Sequence, residues 1–400
     1  MVNKSVLFIC LIFMFYNINA QLQIGNDILT EFEDLRNSEY FGFCVSISSN
    51  GKIVAIGDPL VKRRGIVKVF EFNKIDSIWI QKGQSILGEY LEDRVGLALS
   101  ISSDGCRLAL GSKWNPENGE QSGHVRIYEF DDFYNQWCQI GEDINGEHDF
   151  NGCGHSVALS EQGNIVAIGG MAYSGYDTTR GRVRVFEFIK GRWRQIGKDI
   201  HGENLNDLSG SSLSISGNGK IIAIGAVGNK LDGHVRVFEW KNNKWVQKGK
   251  DIDGNGDNNF YDIGESVSLS FKGDILAIGS KSSKGCSRIY KYDSIQIDWI
   301  QIGQDIPGEG ASVELSNDGV FLAIGRPNSK SNVSKDGSSF LYKFDENMNS
   351  WIQIGKMVSG VKIRDRSGKS VSISSNGLIL AIGGISGKVK VYDFSLTEKK

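Results

Sequence analysis

Residues 154–200 read GHSVALSEQGNIVAIGGMAYSGYDTTRGRVRVFEFIKGRWRQIGKDI, and this block decides the fold. It holds four strand candidates, named a to d: a strand of small and branched residues, a short apolar strand, an alternating strand and a Trp-led strand. Strand c, with Val183-Arg184-Val185-Phe186, alternates with the period of two that a half-buried strand requires. Most other copies carry Asn-Gly or Asp-Gly between strands a and b, which suits the positive φ angles of tight hairpins. The block therefore predicts one four-stranded sheet built from hairpins.

The block recurs along the chain, and the number of copies of each strand decides the architecture. The a–b–c part occurs seven times, but the Trp-led strand d follows it only six times. Residues 21–28 match strand d without its Trp, so the missing copy lies near the N-terminus. A strand there that completes the last sheet closes a ring and minimises open sheet edges, whereas an open solenoid would need capping repeats. We therefore predict an all-β, seven-bladed β-propeller of four-stranded blades, with the N-terminal strand closing the last blade.

A single propeller domain, residues 21–400, is expected to contain the whole ring. The predicted closing strand is 21–28, and the predicted blades are 41–86, 95–144, 153–200, 210–252, 263–306, 310–358 and 367–394. The Trp residues that open strand d are expected to cover the outer blade edges; they are Trp79, Trp137, Trp193, Trp245, Trp299 and Trp351.

The composition of the 400-residue chain excludes several classes of protein. A formal net charge of -2 argues against a dedicated nucleic-acid binder, which usually carries a clear basic excess. Fifty Gly with only 4 Pro exclude collagen and Pro-rich linkers and favour many tight turns. A hydrophobic fraction of 40% excludes wholesale disorder.

Residues 1–20 have the layout of a secretory signal peptide. Lys4 precedes an apolar stretch that begins at Val6, and the small residue Ala20 closes the segment. Cleavage after Ala20 predicts a secreted, extracellular mature chain. No later segment approaches the roughly 20 apolar residues that a membrane span needs, so no span is expected after cleavage. An uncleaved membrane anchor is the alternative interpretation.

The mature chain would keep five cysteines, an odd number that cannot all pair within one chain. They recur at no equivalent position of the repeat, so no disulfide framework is expected to hold the fold. A glycosylation sequon begins at Asn332, in a polar stretch that would suit a surface loop.

Charges recur in strands c and d, and opposed charges on neighbouring strands stabilise a sheet by about 0.2–1 kcal/mol per pair. The expected c–d ion pairs are Arg126–Asp143, Arg184–Asp199, Arg236–Asp251, Arg288–Asp305 and Lys390–Asp27. Blade one keeps Lys68 but has Ser85 in strand d. Blade six loses both charges together, and we expect an apolar contact between Phe340 and Met357 in their place.

The first blade resembles the FG-GAP repeat, through Phe41-Gly42, the strand Val45-Ser46-Ile47-Ser48, and Ala55-Ile56-Gly57-Asp58-Pro59. That repeat builds the seven-bladed propeller at the N-terminus of integrin α chains and related secreted propellers. The resemblance covers nearly the whole mature chain and implies extracellular recognition, often adhesion. Several integrin blades hold calcium on an Asp-rich loop between strands a and b. Here the a–b links are short Gly turns, so that calcium site is absent from the sequence.

Candidate metal ligands lie instead in an acidic loop between strands d and a. Asp253, Asn255 and Asp257 alternate with other residues, and such an arrangement of oxygen ligands can wrap Ca²⁺, which takes 6–8 oxygens. Calcium is the one cofactor that the sequence suggests, and a solvated acidic loop without any ion is the alternative.

Candidate ligand-binding residues lie in the long loops between strands b and c, which share one face with the d–a loops. Trp114, Tyr173 and Tyr176 are aromatic residues that the repeat does not require. Exposed aromatics can anchor a protein or sugar partner. The alternative is that they fold down over the blade, since large aromatics are usually mostly buried.

Histidine and cysteine provide little sign of chemistry. His124 and His234 stand in a repeated Gly-His-Val-Arg, where Ile66 and Arg182 also occur, so both are interpreted as structural. The spacing of the cysteines and histidines between residues 138 and 155 fits no tight CxxC zinc pair. No Gly-x-Ser-x-Gly elbow and no phosphate-binding loop are evident.

Three functions remain open at this stage. The favoured one is a monomeric, non-enzymatic secreted module that binds an extracellular protein or glycan through its loop face. A structural component of a surface or matrix, without a discrete ligand, would instead self-associate. A propeller hydrolase or lyase acting on polysaccharide would need converging carboxylates, and the lone Glu314 on strand a does not suggest them.

Overall fold

Seven antiparallel sheets follow one another along the chain, each with its strands in the order a–b–c–d. The computed structural model describes residues 21–29, 40–171, 180–229, 232–254, 262–282, 285–329, 336–361 and 364–397. The Gly-containing a–b turns and the alternating strands form as the sequence predicts. The prediction of a seven-bladed β-propeller is confirmed.

The strands of the seven blades repeat with similar lengths. Strands a are Cys44–Ile47, Ala98–Ile101, Cys153–Leu159, Ser209–Ile215, Ile263–Leu269, Ser312–Leu315 and Ser370–Ile373. Strands b are Ile53–Asp58, Arg107–Ser112, Ile165–Gly170, Ile221–Ala226, Ile275–Ser280, Phe321–Arg326 and Ile379–Gly383. Strands c are Ile66–Asn73, His124–Asp131, Arg182–Ile189, His234–Lys241, Cys286–Asp293, Ser338–Asp345 and Lys388–Asp393. Short 3-10 turns lie at Val61–Arg63 and Ser395–Thr397.

Strand d is broken into two pieces in most blades, and both pieces pair with strand c. The pieces are Ile78–Gln81 with Ile86–Leu87, Gln136–Gln139 with Ile144–Asn145, Arg192–Gln195 with Ile200–His201, Lys244–Gln247 with Ile252–Asp253, Asp298–Gln301 with Ile306–Pro307, and Leu22–Gln23 with Ile28–Leu29. Blade six has one unbroken strand, Ser350–Ser359. At the break the Gln amide donates to the carboxylate four residues on, as from Gln139 to Asp143 at 2.6 Å. The repeated Trp-x-Gln-Ile-Gly-x-Asp pattern therefore encodes the break.

The N-terminal strand closes the last blade. Leu22 pairs with Asp393 and Ile28 with Val389, both on strand c of blade seven. Ile28 is 3% exposed and packs among residues of blades one and seven. The closure predicted from the unequal strand counts is confirmed.

The core lies between blades rather than inside one sheet. One cluster joins Ile53 and Val67 of blade one to Leu99 and Leu108 of blade two. Each side chain is buried, and burying such a residue stabilises the fold by about 1.5–3 kcal/mol. Stacked blade faces therefore supply the apolar core.

Close approach of backbones explains the glycines of the FG-GAP-like pattern. Gly383 at the end of strand b lies against the backbone of Gly42 in the next blade, where a Cβ would collide with the Gly42 carbonyl. Gly57 lies in the same way against Gly96. Only glycine permits this distance between adjacent blades.

Each Trp of strand d ties its blade to the preceding one. The indole N–H donates to a backbone carbonyl in strand d of the preceding blade; the bonds are Trp79 to Ile24 (2.9 Å), Trp137 to Lys82 (2.9 Å), Trp193 to Ile140 (2.9 Å), Trp245 to Ile196 (3.1 Å), Trp299 to Lys248 (2.8 Å) and Trp351 to Ile302 (3.3 Å). Blade seven lacks the Trp, and there Gln21 bonds to both the N–H and the carbonyl of Lys356.

Candidate functional site

The loop face is formed by the d–a and b–c loops, and several of its acids belong to the scaffold. Asp93 is fully buried, accepts the backbone N–H of Glu89 at 2.6 Å and that of Tyr90 at 2.9 Å, and accepts the Asn115 amide at 2.8 Å. Asp207 and Asn229 repeat the pair at 3.0 Å. These carboxylates hold adjacent loops together, so they are not available to a ligand.

Four of the five predicted c–d ion pairs are wrong: Arg126–Asp143, Arg184–Asp199, Arg236–Asp251 and Lys390–Asp27. The strand-d aspartate lies instead beside the first residue of strand c, as with Asp143 and His124 (3.2 Å), Asp199 and Arg182 (3.0 Å), and Asp27 and Lys388 (3.3 Å). The reason is the break in strand d, which places the carboxylate toward the start of strand c rather than opposite its third residue.

The strand-c arginines reach across to the preceding blade. Their partners are glutamates that follow the last glycine of strand d; the pairs are Arg126–Glu89 (2.8 Å), Arg184–Glu147 (3.5 Å) and Arg236–Glu203 (3.6 Å). The arginines are buried and the glutamates are nearly half exposed. Pairs of this kind contribute at most about 1 kcal/mol, but they link the blades on the loop face.

Arg288 and Asp305 form the ion pair that the sequence predicts, through two hydrogen bonds of 2.8 Å. Blade five departs from its neighbours at two positions. Cys286 replaces the base at the start of strand c, and Asn255 replaces the glutamate of the preceding blade. The sequence of blade five thus offers no glutamate and no base at these two positions, and Arg288 and Asp305 pair with each other.

Blade six has Phe340 at the position where other blades have a basic residue in strand c, and a base from strand b lies beside it. The guanidinium of Arg326, at the end of strand b, lies 4.4 Å from the centroid of the Phe340 ring. Met357 is 41% exposed. This cation–π contact places a cation beside the residue that stands at the arginine position of other blades. The register is irregular between Ser339 and Leu341, and the expected contact between Phe340 and Met357 stays a prediction.

Trp114 is half-buried on the loop face and stands between two cations. The Arg94 guanidinium and the Lys113 ammonium lie 5.3 and 5.2 Å from its ring centroid. Lys113 also lies 3.1 Å from Nδ1 of His155. Burial, with the nearby Arg94 charge, lowers the pKa of Lys113 to about 8. Burial, with the charges of Lys113 and Lys369, lowers the pKa of His155 to about 3. A neutral imidazole thus lies beside a cationic, aromatic patch.

Several candidate residues lie outside the described part of the chain. Tyr173, Tyr176, the metal candidates Asn255 and Asp257, and the glycosylation candidate Asn332 are among them. Asp253 is described; its side chain is 50% exposed, and its carboxylate lies 3.8 Å from His234.

Two groups of side chains on the loop face have the geometry of metal ligands. The first joins Glu89, Glu117, His124 and Asp143, whose ligand atoms all lie within 4.8 Å of one another. The second joins Glu203, His234 and Asp251 at the same place in blade four. The structure therefore brings His124 and His234 into acidic surroundings, which the sequence interpretation as purely structural residues did not foresee.

A central channel of about 280 Å³ runs along the strands a and is lined by serines and branched apolar side chains, with Glu161 and Glu314 among them. Seven backbone hydrogen bonds circle its a–b mouth; each donates from one blade to the next, in the order Ser49, Ser103, Glu161, Gly217, Phe271, Asn317, Ser375 and back to Ser49. Their lengths are 2.9 or 3.0 Å. The inner edge of every sheet is thus bonded to its neighbour at this mouth.

Serine hydroxyls bond the inner strand edges deeper in the channel. Each accepts a backbone N–H of the next blade; the pairs are Ser46 with Ile101, Ser100 with Leu159, Ser214 with Leu269, Ser268 with Leu315 and Ser372 with Ile47. This explains why strand a alternates serine with branched residues. These serine hydroxyls of the channel wall therefore belong to the scaffold, because they join adjacent blades.

Glu314 takes the serine position in blade six. Its carboxyl hydrogen-bonds with Ser372 and with the backbone N–H of Ile373, as a serine would. Burial in the channel raises the pKa of Glu314 to about 8, against these two bonds. Glu314 thus takes the structural role that serine has in other blades.

All five cysteines after residue 20 are described and free. Among the described residues no helix is long and apolar enough to cross a membrane.

Comparison with known proteins supports the fold alone. No protein-family model matches the chain, and no curated protein matches it in sequence. Among solved structures, the β-propeller domain of Cps50 (Swd1) from Myceliophteria thermophila is similar, with a TM-score of 0.60 at 11% identity. The match covers 94% of this chain and 99% of that one. At so low an identity it shows a shared β-propeller architecture and nothing about ligands.

Proposed function

We propose that this chain is a secreted, non-enzymatic propeller that binds an extracellular protein or glycan through its loop face. The observation that carries the proposal is the patch around Trp114. A large aromatic ring remains half-buried on a variable b–c loop, with Arg94 and Lys113 within 5.3 Å of its centroid. Neither the loop nor the ring is needed by the repeat.

The chemistry of the patch favours an acidic partner. An aromatic ring can stack on a sugar face or an apolar side chain, and tryptophan and arginine are enriched among the residues that carry binding energy. The adjacent cations attract carboxylate or sulfate groups. We therefore expect an acidic glycan or an acidic protein segment as the ligand.

The scaffold is suited to present such loops rigidly. The circle of seven backbone bonds and the Trp ties fix each blade against its neighbours. Pre-organised loops lose less conformational entropy when they bind. The resemblance to FG-GAP repeats supports the same proposal, because the Gly42 and Gly57 of that pattern make the contacts between blades. Integrin-like recognition remains part of the proposal.

Glu314 supports the non-enzymatic interpretation. Among the described residues of the channel wall, Glu314 is the carboxyl that replaces a serine within a strand a, and its bonds to Ser372 and Ile373 account for its position; Glu161 lies at the a–b mouth. A glycosidase would need a second carboxyl close to it.

The test is a binding screen of the mature chain against sulfated, carboxylated and neutral polysaccharides and against extracellular matrix extract. Trp114→Ala should lose the interaction. Phe133→Ala is the matched control, because Phe133 is an 87% exposed aromatic on a c–d turn, away from the loop face. Equal binding by all three proteins, or no binding by the folded wild type, would overturn the proposal.

A structural role through self-association is a second candidate, favoured by a different observation. Several c–d turns present strongly exposed apolar residues: Ile75 at 93%, Phe133 at 87% and Ile295 at 91%. Replacing all three with serine should abolish any concentration-dependent assembly seen by sedimentation velocity. A wild-type chain that remains monomeric at high concentration would exclude this candidate.

A further inference from the structure

In blade three, an arginine lies between two acids of the loop face. Arg182 begins strand c, and its Nη1 lies 2.8 Å from Glu147 Oε2 and 3.0 Å from Asp199 Oδ2. Its other terminal nitrogen donates to Asn151 at 2.9 Å. One guanidinium thus fills the space between the glutamate of the preceding blade and the strand-d aspartate. In blade three the first position of strand c therefore holds a cation between two carboxylates.

Blade two has the corresponding acids but a shorter base. His124 begins strand c there and is fully buried, with Nδ1 3.2 Å from Asp143 and 3.9 Å from Glu117. Neither ring nitrogen has a hydrogen bond of acceptable geometry among the described residues. A buried imidazole without a hydrogen-bond partner is costly. His124 is therefore aimed into a group of carboxylates without filling the space that Arg182 fills.

Blade two also has a larger excess of negative charge than blade three at this place. In blade three, Glu147 and Asp199 face two guanidinium groups, from Arg182 and Arg184. In blade two the group holds three carboxylates, and among the described residues Arg126 pairs with one of them, Glu89. The carboxylates thus exceed the guanidinium by two negative charges, which is the charge of a divalent cation.

We propose that Glu89, Glu117, His124 and Asp143 bind a divalent transition-metal ion of the zinc class. One imidazole nitrogen and carboxylate oxygens are ligands that Zn²⁺ accepts in four-coordinate sites. The oxygens that face the ion are oriented from outside the group: Gln139 bonds Asp143 at 2.6 Å, and Arg126 bonds Glu89. Such outer contacts raise metal affinity by fixing the ligands.

The exposure of the ligands and their positions in the fold also support a metal site. The side chains of Glu89 and Glu117 are 47% and 41% exposed, so an ion can enter from the loop face. Glu89 comes from a d–a loop, Glu117 from a b–c loop and Asp143 from the break in strand d, so the ion would join two blades. The corresponding group in blade four, Glu203, His234 and Asp251, offers one ligand fewer and should bind more weakly.

The test is a titration of the metal-stripped mature chain with Zn²⁺, in competition with a chromogenic chelator. We expect one tight site and a second, weaker one. His124→Arg places in blade two the residue that blade three already has, and it should weaken the tight site at least about 100-fold without loss of fold. His234→Arg is the matched control and should leave the tight site intact. X-ray absorption of the zinc-loaded wild type should show one nitrogen and mainly oxygen ligands.

A second variant tests the site independently, in case His124→Arg does not fold. Glu117→Gln removes one exposed ligand and should weaken the tight site about tenfold or more, in line with the cost of perturbing a metal shell. Thermal melts should show that zinc raises the Tm of the wild type more than that of either variant. A wild type that binds zinc no more tightly than His124→Arg and Glu117→Gln would overturn the proposal, as would sulfur-dominated coordination.

Discussion

The backbone N–H of Ser375 donates to the carbonyl oxygen of Ser49 at 3.0 Å. Ser375 belongs to the last blade and Ser49 to the first, so this bond completes the circle of seven at the a–b mouth of the channel. The closing strand joins the same two blades at the outer side, where Ile28 packs beside Phe41 and Val389. The ring is therefore closed on its inside and its outside by residues far apart in sequence.

Removal of the closing strand should strongly destabilise the ring. A chain that begins at residue 40 loses the burial of Ile28 and exposes the edge of strand c in blade seven. Loss of one such buried side chain alone costs about 2–5 kcal/mol. Urea unfolding should show a lower midpoint and a weaker cooperative transition than the chain from residue 21. An unchanged midpoint would mean that the strand contributes nothing to closure.

Trp137→Phe should lower the free energy of unfolding by about 1–3 kcal/mol, because the partly buried Lys82 carbonyl loses its donor. Trp114→Phe is the matched control, since that indole stands on a loop outside the repeat, and its stability should change little. Chemical denaturation of both variants measures the difference. Equal destabilisation by both would argue against the proposed role of the strand-d tryptophans.

Glu314 should make stability depend on pH. Its pKa is raised to about 8 in the folded chain, above the ordinary value of 4.5, so the folded state holds the proton more tightly than the unfolded state. The stabilising contribution is complete below about pH 4.5 and is lost as the pH rises through about 8. Glu314→Ser restores the residue used by other blades and should flatten the decline between pH 5 and 9. A wild type and variant with parallel stability profiles would contradict this assignment.

The charge pairs of the loop face can be separated by double-mutant cycles. Arg126 should couple to Glu89 by several tenths of a kcal/mol up to about 1, and the coupling should shrink at high salt. The cycle between Arg126 and Asp143 should give a smaller coupling, because Asp143 lies beside His124. A larger coupling energy for Arg126 with Asp143 than for Arg126 with Glu89 would contradict the observed pairing and support the one expected from the sequence.

The architecture could be read from the sequence because it depends on local patterns. Alternation in strands, Gly turns and the unequal counts of strands c and d together determine a closed ring, and residues 21–28 fall where the count requires them. The ion pairs between strands c and d could not be predicted from such local patterns. The strand pattern places Arg126 opposite Asp143, but strand d breaks after Gln139, and the Asp143 carboxylate lies beside His124 instead.

The candidate site was only partly visible in the sequence. Trp114 was evident as a loop aromatic outside the repeat, but its neighbours Arg94 and Lys113 come into place only through packing of two loops. The group around His124 joins residues from two blades and four different loops or strands. A comparison of Arg182 with His124 at the same repeat position was the one available signal, since both positions face the same kind of acids.

The dissociation constant for an acidic polysaccharide or protein selected by the binding screen tests the proposed function most directly. It should be measured for the wild type, Trp114→Ala and Phe133→Ala, each shown to be folded by its thermal melt. We predict at least a tenfold weaker affinity for Trp114→Ala, about 1.4 kcal/mol, and an unchanged affinity for Phe133→Ala. Equal affinities for the wild type and Trp114→Ala would contradict binding through the loop face at this residue.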